Sequence, residues 1–162
     1  MRKGIVLFII IFIFWLLLTW STKTEELIAG LVISFLITIG GSKVFYDRPW
    51  EIFNPRRIFW FLLYIPYMGY QIVLANLDVA YRVLHPELPI RPGIVRYKTK
   101  LRSSIAKTFL ANSITLTPGT FTVDIVDDTM YIHWINIKGE TEDEWHKQIA
   151  GRFEGILRRI FE

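Results

Sequence analysis

The chain has 162 residues, of which 52% are hydrophobic and 15% aromatic but only 21% charged, with a formal net charge of +4. That composition excludes a disordered chain and is more apolar than an ordinary soluble domain, so a membrane protein is the first expectation. The absence of cysteine excludes disulfide frameworks, thiolate metal sites and cysteine nucleophiles. The length leaves no room for a large self-contained transporter, and any transport therefore needs partner subunits.

Two apolar segments open the chain, residues 4–20 and 27–41, separated by the polar run Ser21 to Glu26. As helices they measure about 25 and 22 Å against a hydrocarbon core of about 30 Å. Such a pair thins the bilayer, leans on partner helices, or enters as a hairpin without fully crossing. A cleaved signal peptide is disfavoured, because no small-residue cleavage pattern follows Trp20 and a second apolar segment comes at once.

A third, longer segment, residues 58–80, contains Pro66, Gly69, Gln71, Asn76 and Asp78. It reads as a kinked, partly polar membrane helix that faces protein on one side, with Phe59, Trp60 and Phe61 suited to an interface and Tyr64, Tyr67 and Tyr70 offering hydroxyls. Residues 85–93 pack three prolines and a glycine into a stiff linker, which separates the membrane part, 1–84, from a domain at 94–162.

Seven Lys or Arg against one acid lie between Arg82 and Lys107. Of these, Arg82, Arg91, Arg96, Lys98, Lys100 and Arg102 are candidate contacts for anionic lipid or a partner, on the cytoplasmic side. Three full crossings would place six positive charges (Arg2, Lys3, Lys43, Arg48, Arg56, Arg57) on one face and eight on the other, a bias too small to orient the chain. The domain is taken as cytoplasmic, with either an external N-terminus or one segment that does not cross.

Within that domain Val95, Tyr97 and Thr99 alternate with basic residues, the period of a half-exposed strand. A helix follows, capped by Ser103 or Ser104, and Pro118 with Gly119 ends it. Two strands, 120–126 and 129–137, flank an Asp127-Asp128 loop. Pairing Val126 with Thr129 sets Phe121 opposite Trp134, Val123 opposite Ile132 and Ile125 opposite Met130, giving one apolar face. Thr141 and Glu144 form a capping box for a last helix whose buried stripe is Trp145, Ile149, Phe153, Ile156, Leu157 and Ile160. The fold class is thus an α+β membrane protein, two short and one longer membrane helices followed by a β-α-β-β-α domain of 69 residues, near the lower limit for an independent core.

The residues offer little chemistry. His133, placed opposite Thr122 and beside Asp124 and Tyr131, reads as cross-strand surface, while His85 and His146 stand outside any metal-binding pattern. No catalytic residues, metal ligands or cofactor are assigned, and the chain is not expected to be an enzyme. Asp78 is the one acid inside the third segment and the only candidate ion or proton contact, although Arg82 one turn later offers it a salt bridge. Nucleic acid is excluded as a partner because Phe121 and Trp134 are needed for the core, leaving no stacking platform.

The segment Leu110-Ala111-Asn112-Ser113-Ile114-Thr115-Leu116-Thr117-Pro118-Gly119-Thr120-Phe121-Thr122-Val123-Asp124 closely resembles the signature of the E subunit of Mrp-type multisubunit cation/proton antiporters. The likeness extends to the N-terminal apolar pair, Asn54-Pro55, the Pro-rich linker and His133-Trp134, while Asp127-Asp128 stands where members of that family often carry a glycine-containing loop. This resemblance implies a bacterial plasma-membrane complex that exchanges sodium for protons, with this chain as a small accessory subunit and the other subunits as its partners. The signature residues Asn112, Ser113, Thr115, Thr117, Pro118, Gly119, Thr120 and Asp124 are expected to be structural, since Thr-Pro-Gly-Thr suits a type II turn. The rival reading is a free-standing membrane-anchored domain that binds anionic lipid or a cytoplasmic partner through its basic strand and linker.

Overall fold

The computed structural model of the protein describes residues 2–41 and 54–162 and divides into two compact units, Met1–Pro55 and Arg56–Glu162. Lys43 and Arg48 lie outside the described residues. The first unit is an antiparallel pair, α1 (Arg2–Thr19) and α2 (Thr24–Gly41), each 18 residues and therefore about 27 Å long. A Cβ at Gly30 would overlap the Trp15 ring, so glycine is what lets the two helices close there. The Trp15 indole donates to Glu26 O at 2.9 Å, tying the end of α1 to the start of α2. Phe14, Leu17, Leu18, Phe35 and Leu36 stay exposed, as lipid-facing residues do.

The second unit holds α3 (Pro55–Leu84) from its second residue on, then β1 (Gly93–Lys98), α4 (Ser104–Leu116), β2 (Thr120–Val126), β3 (Thr129–Trp134), α5 (Glu142–Ile149) and α6 (Gly151–Phe161). The strand order is β1-β3-β2, all antiparallel. Val95, Tyr97, Met130 and Ile132 point inward from the sheet and meet Ala106, Leu110 and Ile114 of α4 and Ile149, Phe153 and Leu157 of α5 and α6. Tyr64 and Met68 of α3 complete this core. The Ser103 hydroxyl caps α4 by accepting from Ala106 N, and the Thr141–Glu144 capping box opens α5. α2 and α3 are both long and apolar enough to cross a membrane by length and composition.

Several expectations change. The pairing next to the turn is as expected, with Val126 opposite Thr129 and Ile125 opposite Met130, but an irregularity between Thr122 and Asp124 shifts the rest, so that Phe121 faces His133 and Thr122 faces Ile132. The inward positions are then Thr120 and Thr122, whose hydroxyls donate to Ile114 O and Ala111 O and satisfy carbonyls near the end of α4. Phe121 and Val123 are consequently exposed, so the aromatic argument against a stacking surface does not hold for Phe121. His133 lies between Ile94 and Phe121, not opposite Thr122.

The last helix is two helices, because Ala150 ends α5 and its carbonyl accepts from both Phe153 N and Glu154 N at the start of α6. The stiff linker is fastened near its end: Arg91 N donates to Ile135 O at 3.1 Å and Ile137 N to Arg91 O at 2.9 Å.

Because α3 supplies two core residues, a fragment of residues 94–162 loses about 1.5 to 3 kcal/mol for each of Tyr64 and Met68 that it no longer buries against. It is expected to fold marginally, and a fragment that also retains residues 56–93 to melt well above it in the same detergent. Equal melting temperatures would show that α3 is not part of this core.

Candidate functional site

The signature segment forms the end of α4 and the turn that redirects the chain into β2. Ser113 is buried, bonds the Tyr64 hydroxyl of α3 and donates to Phe109 O. Thr117 is also buried and donates to Ser113 O at 2.7 Å. Thr120 N donates to Thr117 O at 3.3 Å across Pro118-Gly119, with Gly119 at φ +90°, the arrangement of a type II turn. Thr115 Oγ1 accepts from Thr122 N, Asp124 Oδ1 accepts from Ile125 N beside the irregularity in β2, and Asn112 is exposed. Most of the signature's polar atoms are thus used to fasten α4 to β2 and to α3.

Thr117, Pro118 and Thr120 also line a cavity of about 320 Å³, closed by Asp78 and Arg82 of α3, Trp134, Lys138, Gln148 and Arg152. Asp78 and Arg82 form a two-pronged salt bridge at 2.8 and 2.9 Å. The Arg82 head is buried, donates to Pro89 O at 2.7 Å, and lies 2.7 Å from the Asn136 amide oxygen when that amide is turned to satisfy it. α3, the linker and the end of β3 therefore meet on one guanidinium. Arg152 reaches Gln71 Oε1 at 3.1 Å and Gln148 O at 2.9 Å, and burial holds its pKa below the ordinary arginine value. With three cationic side chains and one carboxylate, half of which is exposed, the cavity is a clasp between α3 and the domain. Arg82 and Arg152 keep their protons, so neither guanidinium is a proton donor or acceptor in this cavity.

The basic residues do not share one surface. Arg82 is in the clasp, Arg91 is exposed in the linker, Arg96 pairs with Glu142 at 3.1 Å on the open face of the sheet, and Lys98 is exposed next to it. Lys100 and Arg102 join Ser103, Arg158 and Glu162 around an open groove of about 720 Å³. Lys107, which faces the hairpin loop, donates to Asp127 O and Asp128 Oδ1 and holds the Asp128 carboxyl below the usual carboxylate range.

One cluster is invisible in the sequence. Glu154 is buried, and accepts from the Thr99 hydroxyl and Lys100 N while pairing with His146 Nε2 at 2.9 Å. His146 also packs edge-on against Tyr97, whose hydroxyl burial and the nearby Glu154 charge push far up in pKa. Glu154 and His146 are eight residues apart across the α5–α6 break, and only that break brings them together.

The sequence matches, over residues 8–160, the family described as an Na+/H+ ion antiporter subunit. The chain belongs to that family. It is 31% identical over 161 residues to the E subunit of the Na+/H+ antiporter of Alkalihalophilus pseudofirmus, covering 99% of both chains, and 34% identical over 152 residues to the E subunit from Bacillus subtilis, covering 90% of both. Among solved structures it resembles a chain of the membrane-bound sulfane sulfur reductase, an archaeal respiratory membrane complex, with a TM-score of 0.85 and 43% identity over 99% of this chain and 100% of that one. The protein is accordingly an E subunit of the Mrp type, a membrane transport component whose partners are the other subunits of its complex.

Proposed function

We propose that the chain is an accessory, non-catalytic, multi-pass subunit of a multisubunit cation/proton antiporter assembly in the cell membrane, carrying a cytoplasmic α+β domain. Its work is to hold neighbouring subunits and the local bilayer in shape. The observation that supports this most is the state of Asp78: the only acid in α3 is locked to Arg82 as part of the clasp. The 43% identity to a respiratory-complex chain, above the 31% and 34% to the two antiporter subunits, favours a second form of the same role, in which the antiporter-like part serves a respiratory membrane complex.

Asp78→Asn is the direct test of the non-catalytic role. It weakens a half-exposed salt bridge and is expected to cost about 1 kcal/mol, with sodium-dependent proton exchange per assembled complex unchanged in membrane vesicles. Intact complex with lost exchange would make Asp78 an ion or proton carrier and end this reading.

A further inference from the structure

The geometry points to α3 lying in the plane of the membrane, on the cytoplasmic leaflet, with the domain seated on it, instead of crossing. Its contacts with the domain run almost its whole length. Trp60 stacks under Arg159 at 4.3 Å, Phe61 meets Phe109, Tyr64 bonds Ser113, Tyr67 donates to Arg152 O, Gln71 accepts from Arg152, and Arg82 lies 2.7 Å from the Asn136 amide oxygen when that amide is turned. From Trp60 to Arg82 is 22 residues, about 33 Å of helix, which is the full thickness of the hydrocarbon core. A crossing α3 would therefore carry Arg152, Lys138 and the Asp78–Arg82 pair into the hydrocarbon, with lipid beside a folded, charged domain.

The opposite face is what an interfacial helix presents. Phe59, Leu62, Val73, Leu77 and Leu84 recur along one side of α3, all exposed at 57% or more. Tyr70 and Tyr81, equally exposed, sit on the flank between this face and the domain, eleven residues apart. In a crossing helix they would differ in depth by about 16 Å, whereas in the plane both reach the headgroups.

Charge supplies an independent argument. If α3 does not cross, the membrane hairpin among the described residues is α1 with α2, and the segments next to its open end carry Arg2, Lys3, Lys43, Arg48, Arg56 and Arg57. The closed end, residues 21–26, has Lys23 with Glu25 and Glu26. Six positive charges against one orient the hairpin with both ends inside, where three crossings leave the bias undecided, and the same basic residues favour the anionic leaflet on which α3 would rest. This inference presupposes membrane attachment but no particular partner, so its test is separate from that of the proposed function.

The chain has no cysteine, which makes single-cysteine labelling clean. Leu62→Cys, Val73→Cys and Leu84→Cys, each in the full chain in its complex and labelled with a fluorophore, would be quenched by lipids brominated at known depths. All three are expected at one shallow depth, about 5 to 10 Å into the headgroup–acyl boundary. A Val73 label about 15 Å deeper than the other two would mean a crossing helix, and three labels beyond reach of every lipid quencher would mean a partner protein covers the face; either overturns the proposal. In sealed vesicles, Arg2→Cys and Glu162→Cys should react with an impermeant maleimide only from the cytoplasmic side and Thr22→Cys only from the outside. Arg2→Cys and Glu162→Cys on opposite sides would refute it even if the depths agreed.

Discussion

Replacing Gly119 by valine is expected to reduce the assembled complex severely, while Pro118→Ala leaves it near normal. Gly119 has φ +90°, and a Cβ there would lie 3.0 Å from Ile135 Cγ2 and 3.4 Å from Val79 Cγ2. A β-branched residue therefore meets a backbone cost of about 1 to 3 kcal/mol and a packing cost of similar size. It also strains the contact between the turn and α3, which the clasp depends on. Pro118→Ala keeps an accessible backbone and costs only about 0.4 to 1 kcal/mol, mostly through the unfolded chain. Native gels give the amount of complex, and exchange in vesicles should scale with it in both variants. Normal amounts of complex without exchange would turn residues 112–120 from a structural joint into a functional site.

Glu154→Ala should be the most destabilising single polar substitution in the domain. The carboxylate is buried and satisfies the Thr99 hydroxyl, Lys100 N and His146 together. Its removal strands all three partners and leaves a void, for a loss of about 3 to 5 kcal/mol. The Arg96–Glu142 pair has a comparable distance but both side chains are about half exposed or more, so Arg96→Ala should cost about 1 kcal/mol or less. Denaturant titration of the two variants separates the cases. Similar midpoints would show that the Glu154 cluster does not hold β1 to α5 and α6.

What the sequence discloses here is local. The Thr141 capping box, the Ser103 cap and the Thr117-Pro118-Gly119-Thr120 turn are each written within four residues, and each is found. The hairpin is legible at its turn and not beyond Ile125, because alternation cannot report an irregularity whose reason lies elsewhere. Thr120 and Thr122 turn inward to meet carbonyls of α4, which forces Phe121 outward. The same limit hides Glu154: eight residues along a continuous helix would set it about 12 Å from His146, until Ala150 breaks the helix.

The role of α3 is half legible. Hydropathy registers its exposed apolar face and gives a membrane helix, and its polar residues suggest one protein-facing side. The sequence does not show how far along the helix that side is occupied. Tyr64, Met68, Gln71 and Arg82 face the domain at spacings that are helical but chemically mixed, so they form no stripe distinct from that of an ordinary membrane helix. The clasp is likewise assembled from α3, the linker, the turn and α5–α6, and pairs such as Gln71 with Arg152, 81 residues apart, carry no sequence signal.

The central claim is that this chain acts only as one member of a large membrane assembly, and purification of the tagged full chain in mild detergent tests it most directly. It should elute far above its own 19.1 kDa, in fixed ratio with several larger membrane proteins, and the ratio should survive a second sizing step. A chain that elutes alone, near the size of one copy in its detergent belt, with sodium-dependent exchange intact in the membranes it left, would contradict the claim.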